Sequence, residues 1–526
     1  MKHLPAILLI TSIALTILFR VVLPWAQVFN NGVQFNTVDA YIMVRYADCW
    51  PDIPSYDYFV NYPIGNSVAI TVWPTVIAIV GKILGVTNNV SAAVLPPILF
   101  LLTLIPLYIM SRVLFNKWVA LGSVVLFCLL PGELLNRTML GAGDYHAWEI
   151  FLVTNIMMLV VLAADNYKRP VDLFFYSIVA VGLWILYYYS WEGSMWLIFV
   201  VGMALSIWVF LNTKKPTLWI MYGAGALLLI VGAIFLLPST AEYYWKSFVG
   251  IFTVNIAATV TEEMPLFFSF GKFDLNTSWL YFGITFYLVL IGIGWLIYRY
   301  VKDRKPVDLV FLVWSVVSLL MMIARRRFDY YFAINAAIIA SFVMVSVGQY
   351  LTKNRATMVK ICVVFAIAVC LPLIRADLYI STVDTYMPKD WQSATQYLKQ
   401  YSNEKLYITG SKTDAGVFSW WDYGYWIMEE SHMPVFRTPG SQDNGEVAGI
   451  LLCTEPQKAV ASLRTLNMHY VVVDGDMLTT KWYPISRGSD VVKEDTLVYK
   501  LCNSEVVKGF MPVFSEGKVK IYEVTE

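Results

Sequence analysis

Apolar runs of helical length, set apart by short polar breaks, fill the first three-quarters of the chain. They lie near 4–24, 92–113, 117–134, 146–164, 171–189, 191–211, 217–237, 278–299, 308–324, 330–350 and 357–374. A bilayer core of about 30 Å takes about 20 apolar residues of helix, so these eleven runs predict transmembrane helices. The run 67–81 is short and interrupted by Pro74, which predicts an interfacial or re-entrant piece. The first run exceeds the core of a signal peptide and no small-x-small cleavage site follows it, so it reads as a retained helix. Beyond residue 375 the pattern changes. Residues 405–409, 469–473 and 518–524 read as strands, and 391–401 and 456–466 as helices. The predicted fold is a polytopic α-helical membrane part, 1–375, followed by a mixed α/β domain, 376–526.

Composition agrees with this class. Of 526 residues, 58% are apolar, 16% aromatic and only 14% charged. A net charge of +1 offers no basic field for nucleic acid. The distribution of the charges says more than their sum. With the N-terminus inside, Arg112/Lys117, Lys168/Arg169, Lys214/Lys215, Arg299/Lys302/Arg304/Lys305 and Lys353/Arg355/Lys360 all fall in cytoplasmic loops. The segments 25–91, 135–145, 238–277 and everything after about 375 then face outside. Arg325-Arg326-Arg327 breaks the rule at an outer helix end. An anionic ligand or an interfacial anchor would account for it. Cys49, Cys128, Cys362, Cys370, Cys453 and Cys502 show no metal spacing. Cys453 and Cys502 fit a disulfide in an extracytoplasmic tail and fit two free thiols equally well.

The outer segments carry the candidate chemistry. Asp39 follows the first helix, Asp144-Tyr145-His146 follows the third, and Glu262 lies in the 238–277 loop. Carboxylates with one imidazole suit a divalent cation such as Mn²⁺ or Mg²⁺, although an Asp ahead of a helix also serves as a cap. In the tail stands Trp420-Trp421-Asp422-Tyr423-Gly424. Indole N–H groups only donate and a carboxylate only accepts, so the three side chains together suit a hydroxyl. Gly424 predicts a sharp turn that exposes the Trp-Trp-Asp edge. An aromatic core cluster with a capping Asp is the bland alternative.

The whole pentapeptide WWDYG resembles the signature of oligosaccharyltransferase catalytic subunits, of the archaeal and bacterial single-subunit kind with a GT-C fold. The resemblance extends along the chain. It implies thirteen helices, the extra pair falling within 92–237. It implies that Asp39, Asp144, His146 and Glu262 hold one Mn²⁺ or Mg²⁺, with Asp39 and Glu262 also catalytic. Arg327, assisted by Arg137, would grip the donor phosphate. Trp420, Trp421 and Asp422 map onto an acceptor pocket. Its second wall is represented by Lys481 and Ile485, which keep only the K-x-x-x-I half of the family's element. The implied partners are a lipid-linked oligosaccharide, an acceptor polypeptide with Asn-x-Ser/Thr, and the membrane. The implied reaction is an inverting, metal-dependent en bloc glycan transfer to asparagine at the outer face of the cell membrane. Other readings are a lipid-donor glycosyltransferase with a different acceptor, a transporter with an outer domain, and a receptor. A transporter would place charges in mid-helix, and a receptor has no need of three acidic sites.

Overall fold

A computed structural model of the protein describes residues 4–30, 32–68, 72–212, 246, 249–255, 260–269, 272–383, 386–439, 441, 444–486 and 489–525. Among these residues eight helices are long and apolar enough to cross a membrane: Ala6–Val28, Asn88–Leu114, His146–Asp165, Pro170–Ser190, Met195–Asn212, Pro306–Ala324, Arg326–Leu351 and Ala356–Thr382. Asn276–Phe282 and Thr285–Asp303, bent by 82°, make up to a ninth. The expected helix 117–134 is shorter, Lys117–Cys128, and ends at Leu129; Gly132, whose φ of +75° favours glycine, then leads into the short helix Glu133–Asn136. The expected helix 217–237 lies outside the described residues. So does part of the window for the extra helix pair, and the described residues of 92–212 contain no such pair.

The piece predicted to be broken by Pro74 is a continuous helix, Val72–Leu84. Pro74 sits in its first turn, where the missing N–H costs nothing. Trp73 and Ile77 are fully buried.

The chain forms two compact units. The first comprises Met1–Trp25, Pro96–Leu140 and Tyr145–Val383; the second comprises Ala26–Leu95, Gly141–Asp144 and Asp384–Glu526. Two parts of the outer segments thus belong with the tail, and the last long helix, Arg355–Thr382, runs on past residue 375.

In the first unit, Asp329–Leu351 is buried along nearly its whole length. It packs against Lys117–Cys128, Thr285–Asp303, Pro306–Ala324 and Arg355–Thr382. Small residues permit the approach. A Cβ at Gly292 would overlap Ile339, and Ser341 Oγ donates to Val119 O at 2.8 Å. Such contacts suit a bilayer, where packing rather than water exclusion joins helices.

In the second unit a four-stranded sheet has the order Gly416–Phe418, Met468–Asp474, Val519–Val524, Phe510–Glu516. The first pair is parallel and the others antiparallel. Two expected strands and both expected helices are present, the helices as Lys389–Lys399 and Pro456–Thr465. Residues 405–409 are not a strand but the end of a helix, Glu404–Thr409. Asn403 caps it, accepting from Leu406 N at 3.3 Å, and Gly410 at φ +63° ends it. Five residues of alternation cannot outweigh two such signals. Cys453 and Cys502 are free thiols.

Gly292 and Gly294 differ in one respect that can be measured. Nothing lies within 4 Å of a Cβ at Gly294. Gly292→Ala should cost roughly 1–3 kcal/mol by overpacking. Gly294→Ala should be neutral or slightly stabilising. Thermal unfolding of the two variants in detergent checks the contrast.

Candidate functional site

Asp39 opens the helix Asp39–Asp48. The turn before it is tied to residues 141–144, since Asn36 N donates to Gly141 O at 3.1 Å. Gly141 has φ +82°, and a Cβ at Gly143 would press on Phe35 and Ala40 at 2.9–3.0 Å. Glycine at both positions therefore lets Asp144 come up beside the start of this helix. Trp73 Nε1 donates to Gly143 O at 2.9 Å and holds the turn from the other side. Asp144 is fully buried. The two carboxylates act on a common neighbour. Burial, followed by the charges of Asp39 and Asp144, pushes the Tyr425 phenol above its usual range. Tyr425 donates to Pro439 O at 3.0 Å. The charges of two acids far apart in sequence are thus felt at a side chain three residues beyond Asp422.

The same helix is anchored at its other end. Arg45 Nε and Nη2 donate to Asp57 at 3.0 and 3.1 Å, and the pair is 1% and 0% exposed. The guanidinium lies 3.9 Å from the centre of the Tyr407 ring, and Tyr407 donates to Glu429. Burial raises the Glu429 carboxyl to about 8 against the smaller opposing pull of Tyr407 and Arg45.

The pentapeptide leaves the strand Gly416–Phe418 through Ser419, whose Oγ donates to Val472 O at 2.9 Å. Trp421–Tyr423 form one tight turn and Gly424–Ser431 a helix. Gly424 is right-handed helical, with φ −57°, so the expected reason for its being glycine is wrong. A Cβ there would stand 2.5 Å from Arg437 O, and close backbone approach is what requires glycine. The expected exposure of the edge holds only in part. Trp420 is 2% exposed and Trp421 half-buried, their ring centres 5.7 Å apart. The Trp420 N–H has no hydrogen-bond partner among the described residues. A buried donor without an acceptor is costly. Asp422 is not a bare acceptor, because Lys481 Nζ donates to its carboxylate. Ile485 is fully buried, in the short helix Trp482–Ser486 that Lys481 precedes.

The other site residues lie in the first unit. His146 begins a helix, with Nδ1 2.8 Å from Glu149 Oε2 and 3.2 Å from Tyr330 Oη. A carboxylate on one ring nitrogen is the usual orienting partner of a metal-binding imidazole. Arg137 donates to Glu133 at 3.0 Å and also to Glu262. Burial alone would raise the Glu262 carboxyl, but Arg137 and Arg327 outweigh it and hold it below its usual value. The same two guanidiniums act on His146.

The three arginines differ. Arg326 donates to the backbone carbonyls of Pro265 and Phe268 and is buried. Arg325 pairs with Glu263, and Arg327 reaches Glu263 at 2.8 Å and Glu262 at 3.9 Å. Two loop glutamates and two carbonyls thus give local reasons for the exception to the charge rule.

Among the described residues no three His, Cys, Asp or Glu side chains are gathered as ligands for one metal ion. Asp39 and Asp144 are together in the second unit. His146 and Glu262 belong to the first, where Glu149 and Arg137 engage them. The chemistry of the donors nevertheless fits a hard divalent cation: ionised oxygens and an oriented imidazole. Sequence reasoning missed Tyr425, Glu149, Tyr330 and Glu263. Tyr425 and Glu263 adjoin motifs that were read, whereas nothing in the sequence marks Glu149 or Tyr330.

The geometry can be set beside known proteins. The family model "Oligosaccharyl transferase STT3, N-terminal" matches residues 29–296. The chain is 23% identical to dolichyl-phosphooligosaccharide-protein glycotransferase 3 of Archaeoglobus fulgidus, over 91% of this chain and 70% of that one. In fold it is similar to the archaeal oligosaccharyltransferase AglB from Archaeoglobus fulgidus, solved with an inhibitory peptide and a dolichol-phosphate. The TM-score is 0.83 at 19% identity, covering 98% of this chain and 80% of that one. A complex of an Archaeoglobus fulgidus oligosaccharyltransferase with Zn and sulfate matches with a TM-score of 0.72 at 20% identity, over 98% and 73%.

Arg45→Met would leave Asp57 buried and alone, and removing one partner of a buried pair costs roughly 3–5 kcal/mol. Arg45→Met paired with Asp57→Leu should recover much of that loss. Thermal unfolding followed by tryptophan fluorescence measures both. Equal losses in the single and double variants would mean that the pair contributes packing alone.

Proposed function

The chain belongs to the oligosaccharyl transferase STT3 family and is a multi-pass membrane glycosyltransferase, and from that premise we propose the reaction and its parts. It moves a glycan en bloc from a polyprenyl or dolichyl phosphate-linked donor to the asparagine of Asn-x-Ser/Thr. It does so at the outer face of the cell membrane, as a single subunit, with inversion at the sugar carbon. The observation that carries this reading is that the turn before Asp39 and the Gly141–Asp144 turn are hydrogen-bonded to each other, in the same compact unit as the Trp420-Trp421-Asp422 element. The membrane part, through about residue 375, handles the donor and supplies Asp39 and Glu262 to the acceptor asparagine; residues 376–526 read the acceptor beyond that asparagine.

An asparagine amide is a poor nucleophile, because its lone pair is delocalised into the carbonyl. In this reading Asp39 and Glu262 accept hydrogen bonds from its N–H groups, positioning the nitrogen and weakening that delocalisation. Asp39, Asp144, His146 and Glu262 are the residues that would hold Mn²⁺ or Mg²⁺. The ion, when bound, supplies positive charge to the departing phosphate. Arg327, with Arg137, grips the same phosphate. Glu263 pairs with Arg327 at 2.8 Å. A guanidinium held by a carboxylate has the geometry to accept a phosphate instead.

For the acceptor, the unpartnered Trp420 N–H and the neighbouring Trp421 donate to the hydroxyl two residues after the asparagine. Asp422 accepts its proton while keeping Lys481 as counter-charge. Ile485 belongs to the second wall, where a threonine methyl adds about 1 kcal/mol by packing.

Two measurements test this. Purified protein with a lipid-linked oligosaccharide extract and an Asn-x-Thr peptide should transfer glycan, stop on EDTA treatment and resume with Mn²⁺. Asp39→Ala should lose roughly 10²–10³-fold in kcat. Full-rate transfer by EDTA-stripped enzyme would remove the metal from the mechanism. Peptide titration should rank Asn-x-Thr above Asn-x-Ser and both far above Asn-x-Ala, since a site built for a hydroxyl rejects its absence by up to roughly 10⁴–10⁵-fold. Asp422→Ala should flatten that ranking. A ranking that survives in folded Asp422→Ala would make the pentapeptide a structural corner only.

A further inference from the structure

The second unit contains a polar groove of about 840 Å³ to which none of the roles above applies. Its size is that of a small-molecule site, roughly 300–1,000 Å³. The helix Lys389–Lys399 and the residue after it supply Gln392, Gln396 and Gln400 to the lining. Spacing of four residues puts these amides in one row on one helix face. Tyr397 and Phe514, ring centres 5.4 Å apart, add two aromatic surfaces. Lys399 and Glu430 offset each other in charge.

This lining selects among ligand classes. An amide donates and accepts at one end of one side chain, as neighbouring sugar hydroxyls do between them. Aromatic faces suit the C–H face of a pyranose ring. One lysine balanced by one glutamate does not favour a phosphate, and rows of amides do not favour a lipid tail. An extended peptide would be expected to add to the sheet edge, which here is Phe510–Glu516. That edge carries Pro512 and a register break between Pro512 and Phe514, features that interrupt strand addition.

One lining residue of the groove touches the helix that Asp39 opens. That residue is Gln34; the Tyr41 hydroxyl lies 3.5 Å from Gln34 Oε1, and Tyr41 is two residues beyond Asp39 on its helix. We propose that this groove is a subsite for the neutral sugars of the donor glycan beyond the one that reacts. The proposal rests on the glycan-transfer reading above.

Gln396 and Gln400 are exposed at the surface, so Gln396→Ala/Gln400→Ala should fold normally. Losing two amide contacts should raise the KM for a donor carrying the full oligosaccharide roughly tenfold. The KM for a polyprenyl-linked monosaccharide donor and for the peptide should not move. In saturation-transfer NMR, oligosaccharide released from the donor extract by mild acid should receive magnetisation from the wild-type full chain and little from the variant. An unchanged KM for the long donor overturns the subsite. So does a KM that rises for the peptide instead, which would make the groove a polypeptide site. If wild type transfers neither donor, the transfer reading fails by itself, and NMR still decides whether the groove takes sugars: equal signals from wild type and variant overturn it.

Discussion

The buried ion pair of Arg45 with Asp57 is the constraint on which the second unit depends. A charge without water must be paired, and here the pairing is bidentate, at 3.0 and 3.1 Å, with an aromatic ring over the guanidinium. Asp57 lies in the outer segment and Tyr407 in the tail, so this arginine binds two remote stretches of chain into one body. The consequence reaches the candidate site because Arg45 and Asp39 share a ten-residue helix. Once one end is anchored, the other has little freedom. Gly141 and Gly143 then allow Asp144 to approach. The position of an acid proposed to contact metal and substrate is thus set by an arginine that contacts neither.

A second balance of charge governs the loop in the first unit. Glu262 and Glu263 draw in Arg137, Arg325 and Arg327, and Arg326 takes carbonyl partners. Like-charged arginines at adjacent positions would repel one another without this arrangement. Surface ion pairs contribute little, but these side chains are all less than a third exposed, and they form a network rather than single pairs. The network also fixes the guanidiniums of Arg325 and Arg327 beside Glu263.

The Trp420-Trp421-Asp422 element shows the opposite device, an unsatisfied group. The sheet and the stacking of Trp391 on Tyr423, at 4.3 Å, hold the turn rigidly. Trp420 is buried with its N–H unused. Folded proteins rarely tolerate such an orphan donor, and those they keep concentrate where a ligand completes the bonding.

Most of the architecture was legible in the residues. Apolar runs of bilayer length, the change of pattern after residue 375 and the strands at 469–473 and 518–524 follow from local hydrophobicity, which the solvent reads locally. The pentapeptide, Asp39, Asp144, His146, Glu262 and the Arg325-Arg326-Arg327 run were visible as chemistry without geometry. Local pattern misread residues 405–409, where capping decided the outcome, and 67–81, where the place of Pro74 within its helix did. What the sequence alone determined was which residue types and which apolar runs of bilayer length the chain offers. Only the tertiary structure decided that Asp39 and Asp144 share Tyr425, that Lys481 neutralises Asp422, that Arg326 differs from its neighbours and that Gly424 answers to Arg437. Each of these is an interaction between residues far apart in the chain, and charge, burial and steric exclusion act through distance in space, which spacing along a sequence does not encode.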